Sequence, residues 1–346
     1  MPQWLQRITG SNTVLKLASA LSGTTSAEGL EEMTLSMIAG DDLVFADQVK
    51  PLIEWIKQTE KPDIIHLSST LLLGIAKTLR RNFDIPIICS VQDEEVWIDS
   101  LNAKEAHIAW QSIAENTHCV DKFVTTSYYY RDMLQKRIPQ ISQIEVVYPG
   151  IDREKYVSEK YPTDPTIGFF YRMNYLNGLD ILAEAFALLK KRNTIPRLKL
   201  RIGGGYSGHD KTFLRKVRKI LAPYSDDVTI DKTYSLEEHF TFFEQISVIS
   251  VPLRFNEGVG LYLCEAFAAG RPAVEPATGS FSEIVGDAGV LYEPNDAWAL
   301  ADALEKLLTS EALYREKVEA AKNLSVSRYS DREAAEKLVE IYRKKS

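Results

Sequence analysis

Residues 256–270 read NEGVGLYLCEAFAAG. Glu257 stands just ahead of Gly258 and Gly260, and a second carboxylate, Glu265, follows eight positions after the first. Glycines at this spacing suit a tight loop where backbone can approach a ligand closely. From Leu261 the residues are good helix formers, and Gly270-Arg271-Pro272 stops them. A helix that opens this way offers backbone N–H groups and a positive dipole end, the chemistry a diphosphate needs. Gly258, Val259, Gly260 and Leu261 are therefore candidate phosphate-side residues, with Glu257 and Glu265 placed to accept from hydroxyl groups on either side. The same residues also fit a buried helix with glycine caps and Glu257 as a favourable first-turn acid. A short glycine motif alone does not choose between these readings.

Outward from this stretch, apolar strands alternate with helices. In the second half, strands are expected at 166–171, 197–202, 228–231, 246–251, 273–275 and 290–292, with a helix at 178–192. In the first half, they are expected at 63–67, 85–91, 122–127 and 144–147, with helices near 49–56, 70–81 and 103–116. Segment 14–21 is apolar with little interruption. Such alternation implies α/β architecture with parallel sheets covered on both faces. A polar segment with two prolines, 155–165, reads as a linker. The chain has 346 residues, a length for two domains: 1–160 and 161–330, followed by a last helix within 331–346. Asp331 is the expected cap of that helix.

The formal charge of −7 argues against a nucleic-acid partner, which would ask for a basic face. Cys89, Cys119 and Cys264 lie far apart with no zinc spacing, and read as reduced core residues of a cytoplasmic protein. No apolar run is long enough to span a bilayer. The basic stretch KTFLRKVRKIL, 211–221, has two readings: a solvated outer helix face, or a peripheral contact with an anionic membrane surface.

Past Pro272 come Gly279, Ser280 and Glu283-Ile284-Val285, then a glycine-rich run to Asp296. Together with Glu-x7-Glu at 257 and 265 and EAFAAGRP at 265–272, this passage resembles the donor-binding half of the family-4 retaining glycosyltransferases of the GT-B fold. VVYPGID, 146–152, is similar to the family's passage at the end of its first domain. The resemblance implies two Rossmann-like domains facing across a cleft. A nucleoside-diphosphate sugar of UDP or GDP type would lie in the second, and a hydroxyl acceptor, saccharide or lipid-linked, would approach from the first. It implies no metal or other cofactor, and a last helix that crosses back to the first domain. A nucleotide fold normally opens with an apolar strand and a glycine-rich turn. Nothing of that kind precedes residue 63, so the resemblance implies a first domain incomplete at its N-terminus by roughly thirty residues or more.

By the same resemblance Glu257 orients the sugar and Glu265 holds the ribose hydroxyls, while Arg172, after the strand 166–171, neutralises the diphosphate. The family's lysine five residues beyond that arginine is matched here by Asn177, which brings no charge. The resemblance thus leaves two readings open, a working transferase and a nucleotide-sugar-binding protein with weak or no turnover. Asn177→Lys is expected to raise turnover. A histidine that faces the acceptor in the family is matched by Gln92, which opens the run Gln92-Asp93-Glu94-Glu95. That acidic run reads as a helix start or a solvated face in preference to a metal site.

Overall fold

The computed structural model describes residues 30–40, 43–231 and 236–344. The apolar segment 14–21 lies outside the described residues. Two parallel sheets carry the architecture. The first runs in the order β1 (Ile65–Leu67), β2 (Ile87–Val91), β3 (Lys122–Thr125), β4 (Ile144–Val146). The second contains β5 (Thr166–Phe170), β6 (Lys199–Gly203), β7 (Val228–Ile230), β8 (Val248–Ile249), β9 (Ala273–Pro276) and β10 (Gly289–Tyr292). Its spatial order is β10-β9-β8-β5-β6-β7. The chain therefore leaves β5 in one direction along the sheet and returns at β8 to proceed in the other. Open α/β sheets bind ligands at such a reversal, beyond the carboxyl ends of the strands. Here that place is the pair of loops following β5 and β8.

The strands β8 and β9 are buried along their whole length, as expected of strands with helices on both faces. The larger core gathers Phe169, Phe186, Phe243, Phe267 and Phe281. A second core around Leu73, Cys89, Ile113 and Phe123 lies on one face of the first sheet. The other face is covered by the last helix, Asp331–Arg343, whose Ile341 packs on Ile88, Val124 and Val147. The crossing to that helix is tied by hydrogen bonds from Ile151 N to the Tyr329 carbonyl (3.0 Å) and from Asp331 N to the Ile151 carbonyl (3.0 Å).

The cap of the last helix is Ser330, not Asp331: the Ser330 hydroxyl accepts from Glu333 N at 3.2 Å, and Asp331 is the first helical residue. The helix expected at 70–81 divides into a 3₁₀ turn, Thr70–Leu72, and the helix Leu73–Asn82, with Ser69 accepting from Leu71 N. The helices Tyr128–Arg137, Ala297–Thr309 and Glu311–Ser327 are among those not read from the sequence. The basic helix Lys211–Leu221 buries Leu214, Val217 and Leu221 and leaves Arg215, Lys216, Arg218 and Lys219 exposed. Cys89, Cys119 and Cys264 are buried and unpaired. Among the described residues, no helix is long and apolar enough to cross a membrane.

Candidate active site in the interdomain cleft

The loop after β5 is braced at several points. Met173 N donates to the Gly205 carbonyl (2.8 Å), and the Asn174 side-chain oxygen accepts from Asn177 N (2.9 Å). The Asn177 amide donates to the Arg172 carbonyl at 2.7 Å. The loops after β5 and β8 touch at Gly178, whose φ is +70° and where a Cβ would fall 1.8 Å from the Pro252 carbonyl oxygen. Any larger residue would push them apart. The Arg254–Asp180 ion pair (2.8 Å) adds a further cross-brace. On this scaffold the Arg172 side chain lies at the cavity wall, with its guanidinium 3.4 Å from Asp210.

The loop after β8 brings in Glu257, which is 3% exposed. Its Oε1 accepts from Val259 N (2.9 Å) and Gly260 N (3.1 Å), and its carbonyl accepts from the Ser280 hydroxyl (2.6 Å). Its Oε2 is buried and has no hydrogen-bond partner. A buried carboxylate oxygen left unpaired carries a desolvation cost that a ligand hydroxyl would relieve. Gly260, with φ +63°, then caps the helix Leu261–Ala268. The loop 258–261 expected to face a phosphate is therefore open only in part. Val259 and Gly260 give their N–H groups to Glu257, and the first-turn donors beyond them belong to Leu261 and Tyr262, which by position have no intrahelical acceptor.

Across the cleft, Asp93 ends the strand-to-helix connection after β2 in the left-handed region, φ +56°. Its Oδ1 is also buried without a partner. Burial, followed by the charges of Glu257, Glu95 and Glu94, pushes its carboxyl up to about 8, against a lowering hydrogen bond from the Gly258 backbone. Burial likewise raises Glu94 to about 7, although Thr70 N (3.1 Å) and the Ser69 hydroxyl (3.0 Å) bond it. The two domains meet at Gly258. A Cβ there would stand 2.4 Å from Asp93 Oδ1, and its carbonyl accepts from the hydroxyls of Thr126 (3.0 Å) and Ser127 (3.2 Å). Between them lies a cavity of about 360 Å³, whose walls include Asp93, Trp97, Tyr171, Arg172, Asn177 and Glu257. A larger cavity of about 950 Å³, beneath the last helix, holds none of these residues.

The family model described as glycosyl transferases group 1 matches residues 164–310, and that of glycosyltransferase family 4 matches residues 39–155. The chain belongs to these glycosyltransferases. It is 27% identical over 313 residues to a D-inositol 3-phosphate glycosyltransferase of Corynebacterium aurimucosum, covering 81% of this chain and 71% of that one. Its fold is similar to that of a sucrose-phosphate synthase from Thermosynechococcus elongatus, with TM-score 0.70, 20% identity, and 86% and 78% of the two chains covered. It is also similar to HepE of Anabaena in complex with UDP and glucose, with TM-score 0.69, 14% identity, and 93% and 97% covered. The architecture is GT-B, with two parallel-sheet α/β domains around the cleft.

In this glycosyltransferase the sequence-derived site residues divide. Glu257, Arg172 and Asn177 share the cavity wall, with Gly258 closing the cleft behind them. Gln92 is exposed and does not line the cavity; its neighbour Asp93 does. The acidic run is a helix start, as Glu94 and Glu95 open the helix Glu94–Ile98, but Glu94 is buried, which a solvated face would not be. Glu265 does not line the cavity either. Its carboxylate lies deeper, where the Tyr156 hydroxyl donates to Oε1 (2.8 Å) and His239 Nε2 stands 3.2 Å from Oε2. Among the described residues no cluster of three or more His, Cys, Asp or Glu has metal-binding geometry.

Asp93 yields a stability prediction. Its carboxyl is raised in the folded chain, so the stability it contributes is complete below the ordinary carboxylate range and is lost as pH rises to about 8. Asp93→Asn keeps the side-chain shape and cannot ionise. Thermal unfolding at pH 5 and pH 8.5 should show the variant gaining several degrees on the parent at the higher pH. An equal difference at both pH values would mean that Asp93 is solvated and ordinary.

Proposed function

We propose that this glycosyltransferase moves a sugar from a nucleoside diphosphate to an acceptor hydroxyl, with retention of anomeric configuration. The observation that carries the reading is the buried, unpaired Oε2 of Glu257 at the wall of a cavity that also contains Arg172, at the reversal point of the second sheet. HepE, which shares the fold, is solved with UDP, glucose and UDP-glucose, which supports a uridine-type donor. In this account Glu257 Oε2 accepts from a sugar hydroxyl and sets the anomeric carbon. Arg172 and the first-turn N–H groups of Leu261 and Tyr262 meet the charge that grows on the leaving diphosphate. Glu265 takes the ribose hydroxyls by exchanging them for its Tyr156 and His239 contacts, and Gln92 lies on the acceptor side of the cleft.

The bond from the anomeric carbon to the diphosphate breaks, the bond to the acceptor oxygen forms on the same face, and the hydroxyl proton passes to the leaving phosphate oxygen. The step needs no opposed acid and base pair of the glycosidase kind. No metal is called for, because fixed cationic and dipolar groups of the chain answer the phosphate charge. The reaction is assigned to the cytoplasm, where nucleotide sugars are the activated form. A second reading, a nucleotide-sugar-binding partner with little turnover, is favoured by one observation. Arg172 is the one cation among the described residues of the cavity wall, with the neutral Asn177 where a second is expected.

Calorimetric titration with UDP and GDP, followed by assay of sugar release from UDP-glucose and GDP-mannose, tests both readings. Nucleotide binding with sugar release is the expected result. Binding without release selects the second reading, and absence of binding at millimolar UDP and GDP overturns the donor assignment.

A further inference from the structure

We propose that Glu283 is a positioning residue that holds the two domains closed by capping, from the second domain, a helix of the first. The helix Tyr128–Arg137 has ten residues, and its own cap, Ser127, accepts only from Tyr130 N, at 3.1 Å. The N–H groups of Tyr128 and Tyr129 are left without a local acceptor, as the first turn of any helix leaves them. The Glu283 carboxylate supplies both: Oε1 accepts from Tyr128 N at 2.8 Å and Oε2 from Tyr129 N at 3.0 Å. Oε1 also accepts from the Tyr148 hydroxyl at 2.6 Å. A charged acceptor on two backbone donors at a positive helix end is the stronger class of hydrogen bond.

Glu283 lies in the short helix Phe281–Val285 of the second domain, and all three of its donors belong to the segments around the first sheet. Its own backbone is fixed as well. Arg328 donates to the Glu283 carbonyl (3.2 Å), and its guanidinium lies 5.0 Å over the Tyr148 ring, which stands edge-on to Tyr329. The capped turn begins directly after Thr126 and Ser127, the residues that hold the Gly258 carbonyl. When the cleft opens, the two backbone donors and the Gly258 carbonyl lose their partners together. Glu283 touches neither the cavity nor its wall, so it acts through the position of the Gly258–Leu261 loop relative to Asp93.

The deciding arm of the test needs no assumption about the donor, since it reads domain closure in the ligand-free full chain by small-angle X-ray scattering; the arms with UDP and UDP-glucose rest on the proposed donor. Glu283→Ala should enlarge the radius of gyration, and added UDP should reverse part of the change. Glu283→Gln keeps the shape and one acceptor oxygen, so it should fold like the parent and give an intermediate value; Tyr148→Phe should stay near the parent. With UDP-glucose as donor, Glu283→Ala should raise KM about tenfold while kcat changes less than about threefold, the mark of a shifted closure equilibrium. Scattering curves for Glu283→Ala and Glu283→Gln that superpose on the parent overturn the proposal. So does a change that appears only with loss of helical circular dichroism, which would make Glu283 a folding residue.

Discussion

Glu257→Gln is expected to lower sugar transfer by about 10²–10³-fold while leaving the chain folded and its UDP affinity within a few-fold of the parent. The glutamine oxygen can replace Oε1 as acceptor for Val259 N and Gly260 N, since those two donors orient the amide. Its nitrogen then stands where Oε2 was and turns an acceptor at the cavity wall into a donor, so a sugar hydroxyl loses the group that would receive its proton. Glu257→Ala differs in kind. It also strips the acceptor from two backbone N–H groups of the loop, each such loss costing about 1–3 kcal/mol, so its thermal midpoint should fall where that of the glutamine variant does not. The comparison of the two variants separates a sugar contact from a loop staple. Transfer unchanged in Glu257→Gln would remove Glu257 from the reaction. A collapse of UDP affinity in that variant would assign it to the loop instead.

The parts of this molecule that could be read from its sequence are those fixed by local pattern. All ten strands fall on the expected segments, none running more than one residue past them, because an apolar run bounded by polar turns has few alternatives in a sheet covered on both faces. Contacts between distant segments were not legible. Glu283 reads locally as a first-turn acid, and its partners lie 155 and 154 positions away. Gln92 is singled out only by its match to the family's histidine, and the acidic run after it gives Asp93 no role beyond a helix start. In the structure Asp93 takes a left-handed φ of +56° and lines the cavity. Aspartate enters that region more often than most side chains, but too seldom for the sequence to announce it. Asn177 sits at the expected spacing from Arg172, yet its amide serves the Arg172 carbonyl: the spacing marks a turn as readily as a ligand site. Ser330 and Asp331 are both capping residues and adjacent, so composition could not choose between them.

Arg172→Ala is expected to cost about 10²–10³-fold in transfer, because in the proposed reaction it removes the charge that would meet the leaving diphosphate. The described ion pair of Arg172, with Asp210, does not compete strongly. Asp210 stands 3.4 Å away and the Arg172 side chain is 28% exposed, a solvated pair of the kind that contributes about 0–1 kcal/mol. A diphosphate offers more charge and a bidentate face, so the guanidinium can change partners. Arg172→Lys should recover part of the rate but not all, since an ammonium lacks the planar fork. The neighbouring position answers differently from what its spacing suggests. Asn177 is 4% exposed and its side chain staples the Arg172 carbonyl, so Asn177→Lys would bury an ammonium and cut that staple. Steady-state transfer and thermal midpoints measured on the same preparations decide the matter. Loss of stability with no gain in turnover is expected for Asn177→Lys. A gain would mean that the loop can re-form around a second cation, and that phosphate charge is what limits this enzyme.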